Sequence, residues 1–429
     1  MPFAALVLGV LAARLALWID RKTGWTLDFT AEGAKAVADT LTGALLTFIV
    51  FVFSVLLLAV QLASAQLTPR IIARVFSDRY TKAAVSIFVF AFTFSVAVLG
   101  RIRDPVPLLS GIVAGYGSLA CVAVFLFLID RLGKELRPVR ILATVAAEGR
   151  RVIAATYPER FKLDATGKGP LVPERAAPPG LGIPSQVIHH QGAAGVLLAF
   201  DPHGLLNLAA RANCVIEMVP EVGDFVAPDD PLFRIYQGGA AVTEWDLRQS
   251  VAFGTERTLE QDPAFVFRIV VDIACKALSP AINDPTTAVL ALDQIHHLLR
   301  LVGTRQLDTG QVRDRAGALR LVYRTPFWED FVSLAVTEIR HFGGDSIQVA
   351  RRLRAMLENL IESLPEPRRP LLRQELSLVK RQAERAFTEP EDLVRADTGD
   401  SQGMGGARQG NGQAANQSDT TGETTNRPV

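Results

Sequence analysis

The sequence predicts a chain in two parts: four transmembrane helices, then a soluble α+β region made of a small β-barrel-like module and a helical bundle. Three observations carry this reading. From Pro2 to Ile129 charges are sparse and apolar runs are long. Beyond Arg131 the charge density rises to that of a soluble protein. Within that second part, short apolar runs separated by turn residues give way, from Asp262 onward, to apolar residues at helical spacing.

About 20 mostly apolar residues cover a bilayer core of roughly 30 Å as a helix, and helix is the conformation that satisfies every backbone group in lipid. Leu41–Ala65, Ala83–Leu99 and Val106–Ile129 meet that requirement. Phe3–Trp18 is shorter and contains Arg14. It lacks the basic start and small-residue cleavage site of a signal peptide, so it reads as a first span with Trp18 near a headgroup layer. Arg70, Arg74, Arg79 and Lys82 lie between the second and third spans, and Arg131, Lys134, Arg137 and Arg140 follow the fourth. The alternate loops carry fewer basic residues, which places both termini in the cytoplasm by the positive-inside bias. Leu67–Asp78 reads as an amphipathic elbow on the inner leaflet, with Arg70, Arg74 and Arg79 as headgroup contacts. The spans offer hydroxyls (Thr47, Ser54, Ser86, Thr93, Ser118) that can bond back to their own helix, and no mid-membrane carboxylate, which disfavours proton-coupled transport. Gly111 and Gly115 form a GxxxG, a weak signal for close helix approach.

The domain plan is residues 1–130 in the membrane, 131–183 as a juxtamembrane helix and Pro/Gly-rich linker, 184–240 as the β-rich module, 241–395 as the helical domain and 396–429 as a disordered tail. Helical periodicity runs from Arg131 to Thr156. In the module, Gly195–Phe200, Cys214–Val219 and Pro231–Tyr236 suit strands and Leu205–Ala212 a short helix. VPEVGDFVAPDDPLFRI resembles the half-barrels of biotinyl and lipoyl carrier domains in folding pattern only, because no lysine lies between Lys168 and Lys276 to be modified. Asp262-Pro263 and Asp284-Pro285 each read as an N-cap followed by a first-turn proline, and Gly303 can close the second helix. Later helices fall at Phe327–Phe342, Asp345–Leu364 and Pro370–Phe387.

Composition argues several chemistries down. Lys+Arg 45 against Asp+Glu 44 leaves no field that would draw nucleic acid. Three cysteines without a CxxC or Cys/His cluster, and no HExxH, argue against structural or catalytic zinc, and no cofactor motif occurs. His296 and His297 diverge by about 100° on a helix and so do not share a metal. There is no nucleophile elbow and no phosphate-binding loop. Arg268, Asp272 and Lys276 at i, i+4 spacing read as an ion-pair ladder.

Two polar blocks remain, ERTLEQD (Glu256–Asp262) and ALSPAINDPTT (Ala277–Thr287). One reading is capping, with Asp262, Ser279, Asn283 and Asp284 satisfying free N–H groups. The other is a small-molecule or anion site at two helix N-termini with Arg257, drawing on Thr258, Gln261, Asp262, Ser279, Asn283, Asp284 and Thr286. The run FGTERTLEQDPAFVFRIVVDIACKALSPAINDPTTAVLALD resembles the signature of the bacterial membrane proteins grouped as DUF2254, and the likeness extends over most of the chain. That resemblance implies a bacterial inner-membrane protein and brings no established activity. It places Arg257, Thr258, Gln261, Asp262, Asp272, Ser279, Pro280, Asn283, Asp284, Pro285 and Thr286 on the family pattern. Gly195-Val196-Leu197-Leu198 replaces an expected Gly-Tyr-Val-Gln, and Lys276 replaces an arginine, keeping charge but losing a bidentate donor.

The expected function is therefore a membrane-anchored cytoplasmic binding, scaffold or regulatory protein, working in the bilayer as a homo-oligomer. The alternative is an oligomeric channel-like protein gated by its cytoplasmic domain. An unrecognised hydrolase has the least support.

Overall fold

The computed structural model describes residues 2–27, 30–66, 79–103, 106–135, 137–164, 180–238 and 242–405. The chain divides into two compact units, Met1–Arg151 with Arg268–Asn283, and Val152–Phe267 with Asp284–Val429.

In the first unit, α1 (Pro2–Thr23), α2 (Ala31–Gln66), α3 (Arg79–Leu99) and α4 (Leu108–Glu135) are each long and apolar enough to cross a membrane. Their outward faces keep side chains such as Leu8, Leu15, Phe51, Leu57, Leu119 and Leu126 exposed, as lipid contact requires. α1 lies closest to α3. Its inner stripe is small (Ala5, Gly9, Ala13, Ala16), and a Cβ at Gly9 would sit 2.9 Å from the Phe90 carbonyl oxygen. The close approach in this bundle is thus made by Gly9, while Gly115 of the expected GxxxG faces open space. Between α2, α3 and α4 a core forms from Leu45, Val52, Phe88, Cys121 and Leu128, with Phe48 edge-on to Phe125 at 5.4 Å. Thr47, Ser54, Ser86, Thr93 and Ser118 each donate to the carbonyl four residues back, as the sequence suggested.

At one end of the bundle, β1 (Thr26–Leu27) pairs antiparallel with β2 (Val106–Pro107). Here Asp20, at the end of α1 and 4% exposed, accepts from the Leu109 N–H at 2.8 Å, the Ser110 N–H at 3.0 Å and the Ser110 hydroxyl at 2.6 Å. A carboxylate on one helix therefore caps the N-terminus of another, satisfying donors that lipid could not. α5 (Pro138–Thr156) does not continue α4, against the expected single helix from Arg131 to Thr156. Pro138 opens a new helix because its ring fixes φ and it has no N–H to give the preceding turn. The elbow at Leu67–Asp78, including Arg70 and Arg74, lies outside the described residues, as does the linker segment 165–179; Arg79 opens α3.

The second unit holds β3 (Gln186–His189), β4 (Gly195–Phe200), α6 (Pro202–Arg211), β5 (Val215–Met218), β6 (Phe225–Val226), β7 (Pro231–Tyr236), α7 (Glu244–Gln249) and β8 (Val251–Gly254). Next come α8 (Pro263–Ala277), which crosses from one unit to the other, α9 (Pro285–Gly303), β9 (Gln311–Arg313) and β10 (Leu319–Val322). The last elements are α10 (Trp328–Phe342), α11 (Ile347–Ser363), α12 (Arg369–Ala386) and α13 (Pro390–Ala396). The strands do not close into a barrel. They form an open five-stranded sheet in the order β3-β7-β5-β10-β9 and a separate three-stranded sheet in the order β6-β4-β8. β10 joins β5 in parallel and continues into β9 through a turn at Asp314–Gly317, so the β module borrows two strands from a segment read as helical. Ile188, Leu197, Leu205, Ile216, Phe233 and Leu321 share the core beneath the sheet.

The helical part matches its sequence reading within one or two residues at each end. α9 packs on α11, and α12 packs on both α10 and α11. Gly303 is the last residue of α9, where an added Cβ would fall 2.6 Å from Leu364 Cδ1 and force that side chain to shift. The tail corrects one expectation. Asp397–Gly405 does not lie loose: Thr398 O accepts from Arg351, the Gly403 carbonyl accepts from Gln348, and the Asp400 carboxylate gathers the N–H groups of Gln402, Gly403 and Gly405. Those side-chain and turn bonds compensate for an absent apolar face.

Candidate functional site: a loop junction around Arg257 and Tyr157

Both polar blocks begin a helix in the same way. Gln261 (φ 53°) and Asn283 (φ 48°) adopt the left-handed conformation, the next residue is an aspartate, and proline follows. Asp262 accepts from the Phe265 N–H at 2.9 Å, and Asp284 accepts from the Thr287 N–H at 3.0 Å. The capping reading therefore describes both aspartates. Ser279 spends its hydroxyl on the Lys276 carbonyl at 2.7 Å, while Asn283 and Thr286 are exposed. The Gln261 side chain accepts from the Phe200 N–H at 3.1 Å and so ties the block to the end of β4. Arg268 and Asp272 pair at 2.6 Å, as their spacing suggested.

Arg257 is not free to meet an anion with its full charge. Its Nε and Nη2 both engage Asp262, which is 3% exposed. The guanidinium lies over the Phe265 ring at 5.3 Å and beneath Gly223, where φ is +96° and any Cβ would collide with it. Gly223 thus brings the EVGD loop, one segment of the family resemblance, onto the ERTLEQD block, the other. The buried Thr258 hydroxyl has no partner among the described residues.

Around this contact the second unit gathers titratable side chains that no sequence spacing announced. Tyr157, fully buried at the end of α5, stands edge-on to Phe331 and beside Thr325, within the field of Glu221, Asp262 and Asp308. Burial pushes its phenol far above the ordinary range. Tyr323 donates to Asp308 Oδ2 at 3.2 Å, and its ring lies tilted against Phe200 at 5.0 Å. Burial raises the Glu221 carboxyl, opposed by Arg324 at 3.9 Å and reinforced by Asp224, Asp330 and Asp262. Burial likewise raises Asp308, and the Tyr323 hydroxyl offsets part of that. The site is acid-rich among the described residues: Arg257 pairs with Asp262 and Arg324 with Glu221 and Asp224, while Asp308 and Asp330 add two further carboxylates. Desolvated carboxylates with raised pKa are a recurrent mark of working sites. Among the described residues no group of His, Cys, Asp and Glu is arranged to hold a metal.

A raised carboxyl pKa makes a testable statement about stability. Asp308 binds its proton more tightly folded than unfolded, so its contribution is fully present below the ordinary carboxylate range and is lost as pH rises through the raised value. Asp308→Asn keeps an acceptor for Tyr323 and carries no charge. It is expected to match the wild-type melting temperature near pH 4 and to exceed it by about 2–4 °C at pH 8. A variant that melts lower at pH 8 would show that the ionised form is the stabilising one.

Four long apolar helices followed by a mixed α/β unit are the architecture of a membrane protein, and no part of the described site defines an enzyme class. The chain belongs to the DUF2254 family of predicted membrane proteins, whose profile matches residues 1–359. It is similar to uncharacterised proteins of Mycobacterium tuberculosis and Mycobacterium bovis, 27% identical over 411 residues, covering 91% of this chain and 77% of each of theirs. No solved structure matches.

Proposed function

We propose that the protein is a membrane-anchored binding or regulatory protein whose soluble unit works at the cytoplasmic face and engages a cationic group at the loop junction. The observation that carries this is the excess of partly buried carboxylate around Tyr157, with Arg257 already matched by Asp262. An incoming ammonium or guanidinium would relieve the mutual repulsion of Glu221, Asp224 and Asp262 and, by its charge, offset the desolvation cost of ionised Asp308, which sets the sign of the ligand's charge. The anion expected from Arg257 alone would meet those carboxylates instead. Support for the cytoplasmic side comes from Arg131, Lys134, Arg137 and Arg140 after the fourth helix.

The test has two arms on the full-length protein. In detergent, spermidine should raise the melting temperature by several degrees beyond a sodium chloride control of equal ionic strength, and Glu221→Gln/Asp308→Asn should abolish that gain. In cells, an alkaline phosphatase fusion after Asp164 should be inactive and one after Arg103 active. A spermidine shift equal to the salt control, or unchanged in the double variant, removes the junction as the binding site. Inverted reporter activities remove the cytoplasmic placement.

A further inference from the structure

Near the end of the membrane bundle that carries β1 and β2, α2, α3 and α4 border a partly open cavity of about 130 Å³. Its wall is apolar (Val37, Leu41, Val98, Ile102, Ala114), apart from one hydroxyl, Ser95. Ser95 is 2% exposed, and its Oγ has no hydrogen-bond partner among the described residues. That contrasts with its neighbours: Thr42, Thr47, Ser86, Thr93 and Ser118 all bond the carbonyl one turn back. A buried hydroxyl left without an acceptor in lipid-like surroundings is unfavourable, so the site calls for an acceptor from outside the chain.

Water does not fit, because a stable buried water needs two to four polar partners and this wall supplies one. An ion does not fit either, since no charged side chain lines the cavity among the described residues. The volume matches roughly six carbon atoms, by comparison with apolar cavities of about 150 Å³ that take up benzene. Ser95 lies four residues before the end of α3, about 6 Å down the helix at 1.5 Å per residue. Gly111 and Ala114 lie at similar depth from the start of α4. That is the level at which the ester groups of a bilayer lipid meet its hydrocarbon.

We propose that this cavity is a binding site for a glycerophospholipid acyl ester, with the Ser95 hydroxyl donating to the ester carbonyl and the first few methylenes filling the pocket. The surrounding bilayer supplies the ligand, and the reading is independent of the soluble unit.

The experiment uses the full-length protein in nanodiscs of a diester phosphatidylcholine and of the diether lipid with identical chains, which lacks the carbonyls. The wild type should melt about 2–4 °C higher in the diester lipid. Ser95→Ala should melt lower than wild type in diester lipid but no lower in diether lipid, where the hydroxyl has nothing to lose. Ala114→Leu, which fills the pocket, should erase the diester advantage with Ser95 intact. If the wild type melts alike in both lipids, or Ser95→Ala lowers both equally, the acyl-ester site is overturned. Should Ser95→Ala fail to fold, a diester lipid with a diazirine near the carbonyl decides on the wild type. Crosslinks mapped to residues around Ser95 and Ala114 uphold the site, and crosslinks only to outward faces overturn it.

Discussion

Arg257→Ala is expected to destabilise the second unit by about 3 kcal/mol, the lower end of the range for breaking a buried ion pair from one side. The loss comes from Asp262, not from the arginine. At 3% exposure the carboxylate cannot recover its hydration when the guanidinium leaves, whereas Arg257 itself keeps 34% of its side chain exposed. The stacking over Phe265 goes at the same time. Arg257→Lys should fall between, because an ammonium keeps the charge but cannot hold both carboxylate oxygens. The double variant Arg257→Ala/Asp262→Asn should recover part of the loss, since asparagine still accepts from the Phe265 N–H without leaving a buried charge. Chemical unfolding of these three variants, Asp262→Asn and the wild type gives the cycle. A single-variant loss below about 1 kcal/mol, or a double variant no better than the single, would mean that water reaches Asp262 and the pair is a surface ornament.

Pattern made the helical half of the molecule readable. Apolar residues at i, i+3, i+4 mark α9, α10, α11 and α12, joined by the Asp284 cap and first-turn proline of α9, the Ser346 cap of α11 and the first-turn proline of α12. β9 and β10 escaped because the pairing that makes them strands is remote. Leu321 finds Ile216, and a four-residue run such as Leu319–Val322 carries no period long enough to separate strand from helix. Once β10 is placed, the β module becomes an open sheet, because the edge expected to close it is occupied by a strand from elsewhere.

The candidate site divides along the same line. Asp262 and Asp284 were legible as caps, since capping is local. The partnership of Arg257 with Asp262 was within reach at five residues' separation, yet an arginine beside two helix starts reads equally as an anion donor. Tyr157, Glu221, Asp308 and Tyr323 are brought together only by the fold, and a lone acid in a loop has no pattern. Gly223 was the available hint: a positive-φ glycine within Glu-Val-Gly-Asp marks a place where something comes close to the backbone.

Asp20→Ala should produce the largest loss in the membrane bundle. Its carboxylate adjoins Arg21 and Lys22 in the sequence, where no motif or spacing singles it out. In the fold it is 4% exposed and is the acceptor for the N–H groups of both Leu109 and Ser110 as well as the Ser110 hydroxyl. Alanine leaves those donors at the start of α4 without an acceptor where water is scarce, at about 1–3 kcal/mol for each unsatisfied group. A total of about 3–4 kcal/mol follows if one donor finds a substitute. Asp20→Asn retains one carbonyl oxygen but must present an amide to the remaining donor, so it should lose roughly half as much. Ser110→Ala removes only the shortest of the three bonds and should cost about 1 kcal/mol, since the backbone contacts persist. The ordering Asp20→Ala, then Asp20→Asn, then Ser110→Ala can be read from unfolding in mixed detergent. Hydrogen exchange at the Leu109 and Ser110 amides should accelerate in the first two and stay slow in the third. Equal exchange in all three would mean that those amides are held by the β1–β2 pairing beside them and that Asp20 is dispensable to α4.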